Sequence, residues 1–537
     1  MRILAFAHFG YEGELVTVEI DIRRGIPGVS VIGLPDGAVR EATERVRAAI
    51  RNSGYEFPAN RVLINLAPAS LRKEGSAFDL PIALAILLES GQAHCTLSED
   101  VMISGELELS GRVRAVPALL QAVCRAAGSG LSRFIVPETC VAESSASGCG
   151  RVFGVGSLNE CVELLNESRF LETDGEQRAE TSHRLALGNN SQSEEDWRKR
   201  ARASFYALSW PARLERAALV AAAGSHHLLL AGPPGGGKTM LARRLVSLLP
   251  DLPRAEALEA SRIHSLAGLS LGELSPEGSG ILTRPPFRTP HHSASAEGMV
   301  GGGRVLRPGE ISLAHRGILV LDEAPEFNRD ILQALREPLE EGSVTISRAG
   351  RQARFPARFQ LVMTANPCPC GNLGKRNAAC VCSLKEVEQY WRRFGGALLD
   401  RVDLRVPVLA RGEAPDSASA REKVAQSEAA RIEATLDALW RAFQVQEKRY
   451  AKLSVRRNAH LRPEDVERFC RLTAGAARLF DELREKQGLS SRGAQSALKV
   501  ARSLADLDGE ANIMERQVEE AVAFRAFGDS DWERYFV

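Results

Sequence analysis

Residues 227–249 read HLLLAGPPGGGKTMLARRLVSLL: an apolar strand, a glycine-rich loop and an amphipathic helix, in that order. The loop Gly232, Pro233, Pro234, Gly235, Gly236, Gly237, Lys238, Thr239 fits the spacing G-x-x-x-x-G-K-[ST], with a strand before it and a helix after it, as phosphate binding requires. The glycines let backbone N–H groups approach the phosphates, and the helix that carries Met240 presents its positive N-terminal end to them. Lys238 suits β/γ-phosphate charge and Thr239 offers a hydroxyl to Mg²⁺, so ATP and magnesium are the expected ligands. A strand feeding such a loop and helix belongs to an α/β layer with a mainly parallel sheet.

Two more apolar strands end on polar groups suited to the same chemistry. In GILVLDEAPEF (317–327), Ile318 to Leu321 run into Asp322 and Glu323, placed to hold Mg²⁺ and to polarise the attacking water respectively. In QLVMTAN (360–366) the strand ends on Asn366, a neutral amide able to orient that water. Directly after it, NPCPCGNLGKRNAACVC places Cys368, Cys370, Cys380 and Cys382 as two CxC pairs around a polar nine-residue spacer. That spacer lacks the apolar residues of a core, and four thiolates around Zn²⁺ would staple a loop too short to fold alone. A reactive dithiol, or thiols without a special role, are the alternatives; the redox reading lacks a CxxC and a thioredoxin-like surround.

At 537 residues the chain calls for about three or four domains. Its net charge of +1 gives no global attraction to nucleic acid or membrane, so such binding must come from local patches. No apolar run reaches the length of a membrane span and the N-terminus is no convincing signal peptide, so a cytoplasmic protein without a membrane partner is expected. The six scattered cysteines read as small core residues. The polar, acidic stretch 171–197 reads as a flexible linker between an N-terminal α/β or α+β domain (1–170) and a second α/β block (198–411). From 412 to 537 the pattern is helical.

Two segments concentrate basic residues. RPPFRTPHHSASAEGMVGGGRVLRPGE (284–310) carries Arg284, Arg288, His291, His292, Arg304 and Arg307 among glycines and prolines. SVTISRAGRQARFPARF (343–359) reads as two strands about an Ala349–Gly350 turn, with Arg348, Arg351, Arg354 and Arg358 and no acid. Arginines on such a hairpin suit sequence-independent phosphate contacts, with solvated loops as the plainer reading.

GPPGGGKTMLA, RPPFRTPHHSAS, ILVLDEAPEF, ALREPLEEG, FQLVMTANPCPCG and LSSRGAQSALKVARSLADL occur in that order, and together they resemble the ComM/YifB group of magnesium-chelatase-like AAA+ proteins over nearly the whole chain. The resemblance implies an α/β multidomain protein with an AAA+ P-loop domain bearing chelatase-type insertions and a C-terminal helical lid. It assigns Asn366 as sensor 1, Arg401 as an arginine finger offered to a neighbouring subunit and Arg492 as the sensor 2 arginine. It further implies a homohexamer whose insertions face the pore, acting on single-stranded and branched DNA as a branch-migration helicase in natural transformation. Remodelling of a protein partner is the alternative. The Gly-Gln pair that relatives carry upstream of the P-loop is missing from 207–224. The stretches 72–91 and 103–123 resemble the Lon protease fold, but Ala77 takes the nucleophile's place and Arg112 and Arg114 stand where a lysine base is needed. Arginine stays protonated and cannot serve as that base, so a Lon-like domain without proteolysis is expected.

Overall fold

The computed structural model describes residues 2–94, 100–166, 190–206, 211–269, 280–303, 306–348, 351–375, 378–408 and 418–527. A seven-stranded mixed sheet dominates the N-terminal part, in the order Gly28–Ile32, Arg61–Ala67, Glu12–Arg23, Ile3–Phe9, Val101–Ile103, Arg133–Pro137, Arg151–Val155. The alternating strand Arg61–Ala67 buries Val62, Ile64 and Leu66, whereas the helix Asp79–Glu89 is apolar all round and buried from Asp79 to Leu87. Ser76 gives its hydroxyl to the Glu106 carboxylate, and the buried Lys73 ammonium is held by the Pro68 carbonyl.

The second sheet has five strands, Phe287–Arg288, Ile318–Leu321, Gln360–Ala365, Leu228–Ala231 and Leu404–Pro407, all parallel in that order. Helices cover it, so its four longer strands are buried throughout, which accounts for their unbroken apolar runs. Because the strands are parallel, every loop at their C-terminal ends meets at one edge of the sheet.

The helix Asn190–Tyr206 begins inside the stretch read as linker. Trp197 explains why: it is fully buried, stacks at 4.9 Å on Trp440 and donates its indole N–H to the Leu248 carbonyl at 3.0 Å. One large aromatic side chain outweighs a polar composition, since its burial contributes on the order of 2–3 kcal/mol. Residues 171–189 of that stretch lie outside the described residues. The helices Ala418–Arg449, Pro463–Phe469, Ala474–Lys486, Ser491–Asp508 and Glu515–Ala523 complete the C-terminal part.

The N-terminal part docks on the helix Arg254–Leu266. Arg262 lies over the Tyr11 ring at 4.6 Å and donates to Gln121 at 2.5 Å, and Ser265 donates to Glu143 at 2.5 Å. Gly10, at φ +60°, abuts the basic hairpin so closely that a Cβ would stand 2.5 Å from that of Ala353. No described helix is long and apolar enough to cross a membrane.

Candidate nucleotide site and cysteine centre

The P-loop leaves the buried strand Leu228–Ala231 and enters the helix Lys238–Leu248. Gly232 passes so close to the Val408 carbonyl that a Cβ would lie 2.1 Å from its oxygen, and Gly235 and Gly237 adopt φ of +85° and +82°. Only glycine meets both demands without strain. The Lys238 ammonium is buried and turned back onto the carbonyls of Gly232 and Pro233, at 2.6 and 3.0 Å. Burial pushes its pKa down to about 8, partly offset by the Asp322 and Glu323 carboxylates. Phosphates entering the loop would favour its charged form.

The sheet's parallel edge brings the other predicted groups to the same place. Thr239 Oγ1 donates to Asp322 Oδ1 and Oδ2 at 3.0 and 3.1 Å. Two oxygens about 3 Å apart are spaced as adjacent ligands of an octahedral ion with Mg–O bonds of ~2.1 Å, so hydroxyl and carboxylate fit magnesium. Thr364, which the sequence did not single out, joins the acidic pair: its hydroxyl donates to Asp322 at 2.6 Å and accepts from the Glu323 backbone N–H at 2.9 Å. Glu323 itself has φ +52°, a left-handed conformation uncommon for a side chain of this size and typical of functional sites. Asn366 stands between Lys238 and Glu323, its oxygen 3.4 Å from the ammonium and its amide nitrogen 3.4 Å from the carboxylate. This set is able to bind a triphosphate, place a divalent cation and polarise a water. Met240 is exposed on the helix behind the loop.

The cysteine loop adjoins the nucleotide loop. A Cβ on Gly371 (φ +70°) would lie 3.1 Å from Pro234, so only the bare backbone packs there. The Asn366–Pro367 corner is clamped from behind, with Tyr390 Oη accepting from the Asn366 N–H at 3.3 Å and Trp391 donating to the Pro367 carbonyl at 3.1 Å. The four sulfurs of Cys368, Cys370, Cys380 and Cys382 all lie within 4.8 Å of one another. Cys368–Cys370, Cys368–Cys380 and Cys370–Cys380 are 3.4, 3.6 and 3.7 Å apart. Four thiolates at ~2.3 Å from a tetrahedral zinc stand about 3.8 Å from each other, so the donor set fits that ion. Burial raises the Cys368 pKa, while the Asn372 backbone N–H lowers that of Cys370. Among the scattered cysteines, Cys140, Cys161 and Cys470 are buried, Cys124 and Cys149 half-buried, and Cys95 lies outside the described residues.

Arg401 and Arg492 meet each other instead of the P-loop of their own chain. Both guanidinium groups converge on one oxygen of Glu340, Arg492 at 2.7 Å. Arg401 precedes the strand Leu404–Pro407, whose register pairs Leu404 with Leu228 and Pro407 with Ala231. The P-loop follows Ala231, so Arg401 occupies the opposite edge of the sheet, the length of a four-residue strand (~13 Å) away. The two arginines border a cavity of about 430 Å³ in which Arg and Lys outnumber Asp and Glu seven to four. Arg358 lines this cavity too, not the basic hairpin it follows in sequence.

A buried polar network ties the segment carrying Arg401 to the helix carrying Arg492. Asp403 accepts from Ser496, from His226 Nδ1 at 3.4 Å and from the His227 N–H at 3.1 Å, while His226 Nε2 lies 2.7 Å from Ser503 Oγ. Burial alone would raise the Asp403 pKa, but the His226 and Ser496 hydrogen bonds and the histidine charges hold it far below the usual carboxylate range. Breaking one partner of such a buried network costs about 3–5 kcal/mol, against at most ~1 kcal/mol for a solvent-exposed pair. This network joins the segments that carry the two arginines, whereas the half-exposed Glu340 reaches them from a separate short helix.

The predicted polymer-binding residues fare unevenly. Arg348 and Arg351 pair across the closed end of the hairpin Ser343–Arg348/Arg351–Pro356. Arg354 alternates onto the face opposite the buried Ala353 and Phe355, exposed, with Ser343 accepting from it at 2.7 Å. Arg288 is committed to Glu310 by two 2.6 Å bonds, which leaves its guanidinium little capacity for a phosphate. His291 and His292 are exposed with ring centroids 4.1 Å apart. Arg304 and the Ala349–Gly350 turn lie outside the described residues.

Comparison with known proteins agrees with this layout. Residues 208–414 match the magnesium chelatase subunit ChlI family, 18–140 a further ChlI-subunit family and 417–525 the ChlI C-terminal family. The chain is 38% identical to the competence protein ComM of Haemophilus influenzae over 97% of its own length and 96% of that protein's. It is 39% identical to the uncharacterised protein YifB of Escherichia coli, again over 97% and 96%. The magnesium-chelatase 38 kDa subunit of Rhodobacter capsulatus is 28% identical over 51% of this chain and 71% of that protein. Matches of this length and identity, with the P-loop, acidic pair and sheet order in place, put the chain in the ComM/YifB family of magnesium-chelatase-like proteins.

Proposed function

We propose that this protein is a cytoplasmic, ring-forming ATPase that moves along single-stranded and branched DNA and promotes branch migration as incoming DNA is recombined during natural transformation. The observation that supports the ring is the placement of Arg401 at the sheet edge opposite its own P-loop, too far away to reach a nucleotide bound there. The full-length similarity to a competence protein carries the pathway. In this reading Lys238 holds the β/γ-phosphates, Thr239 and Asp322 hold magnesium, Glu323 takes the water's proton and Asn366 orients that water. Arg401 and Arg492 stabilise charge on the neighbour's γ-phosphate. A homohexamer is the proposed assembly. Its proposed units are a non-proteolytic Lon-like domain (1–170), a linker, the ATPase domain (198–411) and the helical lid (412–537).

The test is ATP-dependent unwinding and branch migration by purified protein on forked and four-way DNA. Failure on both, with ATP turnover intact, would favour the second reading, remodelling of a protein partner, which the magnesium-chelatase similarity supports. DNA contact is tested separately through the hairpin. Changing Arg348, Arg351 and Arg354 together to Ala should weaken binding equally on all sequences and flatten the slope of log affinity against log salt by roughly two to three units. An unchanged slope with DNA still bound would remove the hairpin from the DNA path.

We also assign zinc to the cysteine centre, where it would supply the cross-link that fixes the loop against Pro234 and Asn366. Elemental analysis should find about one zinc per chain, lost when Cys368, Cys370, Cys380 and Cys382 are changed to Ser. Metal retained at full stoichiometry after that change would place the site elsewhere.

A further inference from the structure

Glu340 has no place in the chemistry set out above, yet it holds both arginines assigned to the neighbour's γ-phosphate. It lies in the last turn of the short helix Arg336–Glu341, two residues before Gly342, and its oxygen Oε1 accepts from Arg401 and Arg492 together. Its side chain is 41% exposed, and among the described residues its hydrogen bonds and ion pairs are to these two guanidinium groups. Arg401 is otherwise well covered, its Nη1 on the Ala397 carbonyl and its Nε buried without a partner. Two converging guanidinium groups are an anion site, and here a carboxylate of the same chain fills it.

We propose that Glu340 is a built-in substitute for the γ-phosphate: in a subunit without a neighbour it occupies both arginines, and only a nucleotide bearing a γ-phosphate displaces it. The inference rests on the reading that Arg401 and Arg492 act on an adjoining subunit. A γ-phosphate brings more charge and a third acceptor oxygen, so it outcompetes one carboxylate. ADP offers nothing at that position and leaves Glu340 in place. The residue therefore makes the subunit interface discriminate ATP from ADP. The Asp403 network joins the segments that carry the two arginines while they change partner, so the exchange requires only that Glu340 swing away.

The experiment is sedimentation velocity of the full chain with magnesium and either ATP or ADP, in a Glu323→Gln background that preserves ATP. With Glu340 intact, ATP should drive assembly and ADP should not. Glu340→Gln should assemble at about five-fold lower protein concentration with ATP, and should now assemble with ADP as well. Glu340→Asp keeps the charge on a shorter arm and should give part of that shift, which covers the case of a Gln variant that melts early. An unchanged ATP-over-ADP preference overturns the proposal. So does loss of assembly in Glu340→Gln, which would make the residue a required support for the arginines. Normal assembly and turnover in Arg401→Ala would instead overturn the reading beneath it.

Discussion

Glu323→Gln should bind ATP as tightly as the unaltered protein and hydrolyse it at least about a hundred-fold more slowly, the lower end of what a positioned general base contributes. The change keeps the shape of the side chain and its 3.4 Å approach to Asn366, but removes the group that takes the water's proton. Lys238→Ala should lose nucleotide binding itself, because the ammonium is the one buried cation in the loop and is the group assigned to the β/γ-phosphates. Equilibrium binding of a fluorescent ATP analogue, beside steady-state turnover, separates the two variants. Wild-type turnover in Glu323→Gln would remove the base assignment, and Asp322, whose carboxylate already takes both Thr239 and Thr364 hydroxyls, would not be free to replace it.

Arg401→Ala should bind ATP normally and lose hydrolysis by about a thousand-fold, the scale on which a finger stabilises charge on the transferring phosphoryl group. Mixing it with Lys238→Ala protein should restore part of the activity. At a mixed interface the Lys238→Ala subunit supplies an intact finger to the intact P-loop of the Arg401→Ala subunit. The expectation follows from sheet geometry: Arg401 and the P-loop sit at opposite ends of paired parallel strands, so neither completes the other within one chain. No rescue at any ratio, with mixed assemblies demonstrated, would count against action between subunits. Arg492→Ala should behave alike, since the Asp403 network joins the segments that carry the two arginines.

The nucleotide site was legible because its parts are linear signals. A glycine-rich loop between a strand and a helix, and apolar runs ending in Asp322–Glu323 and Asn366, each carry their own local reason. Parallel strands then bring their C-terminal ends together without further instruction. The cysteine cluster was legible for the same reason, its four thiols lying within fifteen residues. Where composition misled, a single tertiary contact was responsible. Trp197 draws a polar segment into a helix by burying itself against Trp440, and Glu310 claims the Arg288 guanidinium that looked available for phosphate. Arg358 looked like part of the hairpin, but the chain turns after Pro356 and carries it to the cavity beside Arg401.

The sequence by itself determined the α/β class, the strand, glycine-rich loop and helix around Lys238, the acidic pair at a strand end and the four-cysteine cluster, because covalent order fixes spacing along a strand, a turn or a short loop. Only the tertiary structure decided that Glu340, Arg401 and Arg492, 152 residues apart at their extremes, share one ion-pair site. It alone decided that Asp403 and His226 tie the C-terminal helix Ser491–Asp508 to the five-stranded sheet, and that the N-terminal part rests against the hairpin through Gly10. Charged side chains far apart in sequence carry no periodicity and no capping or turn preference that names a partner. Their pairing is settled by which surfaces the packed helices and sheets bring within reach.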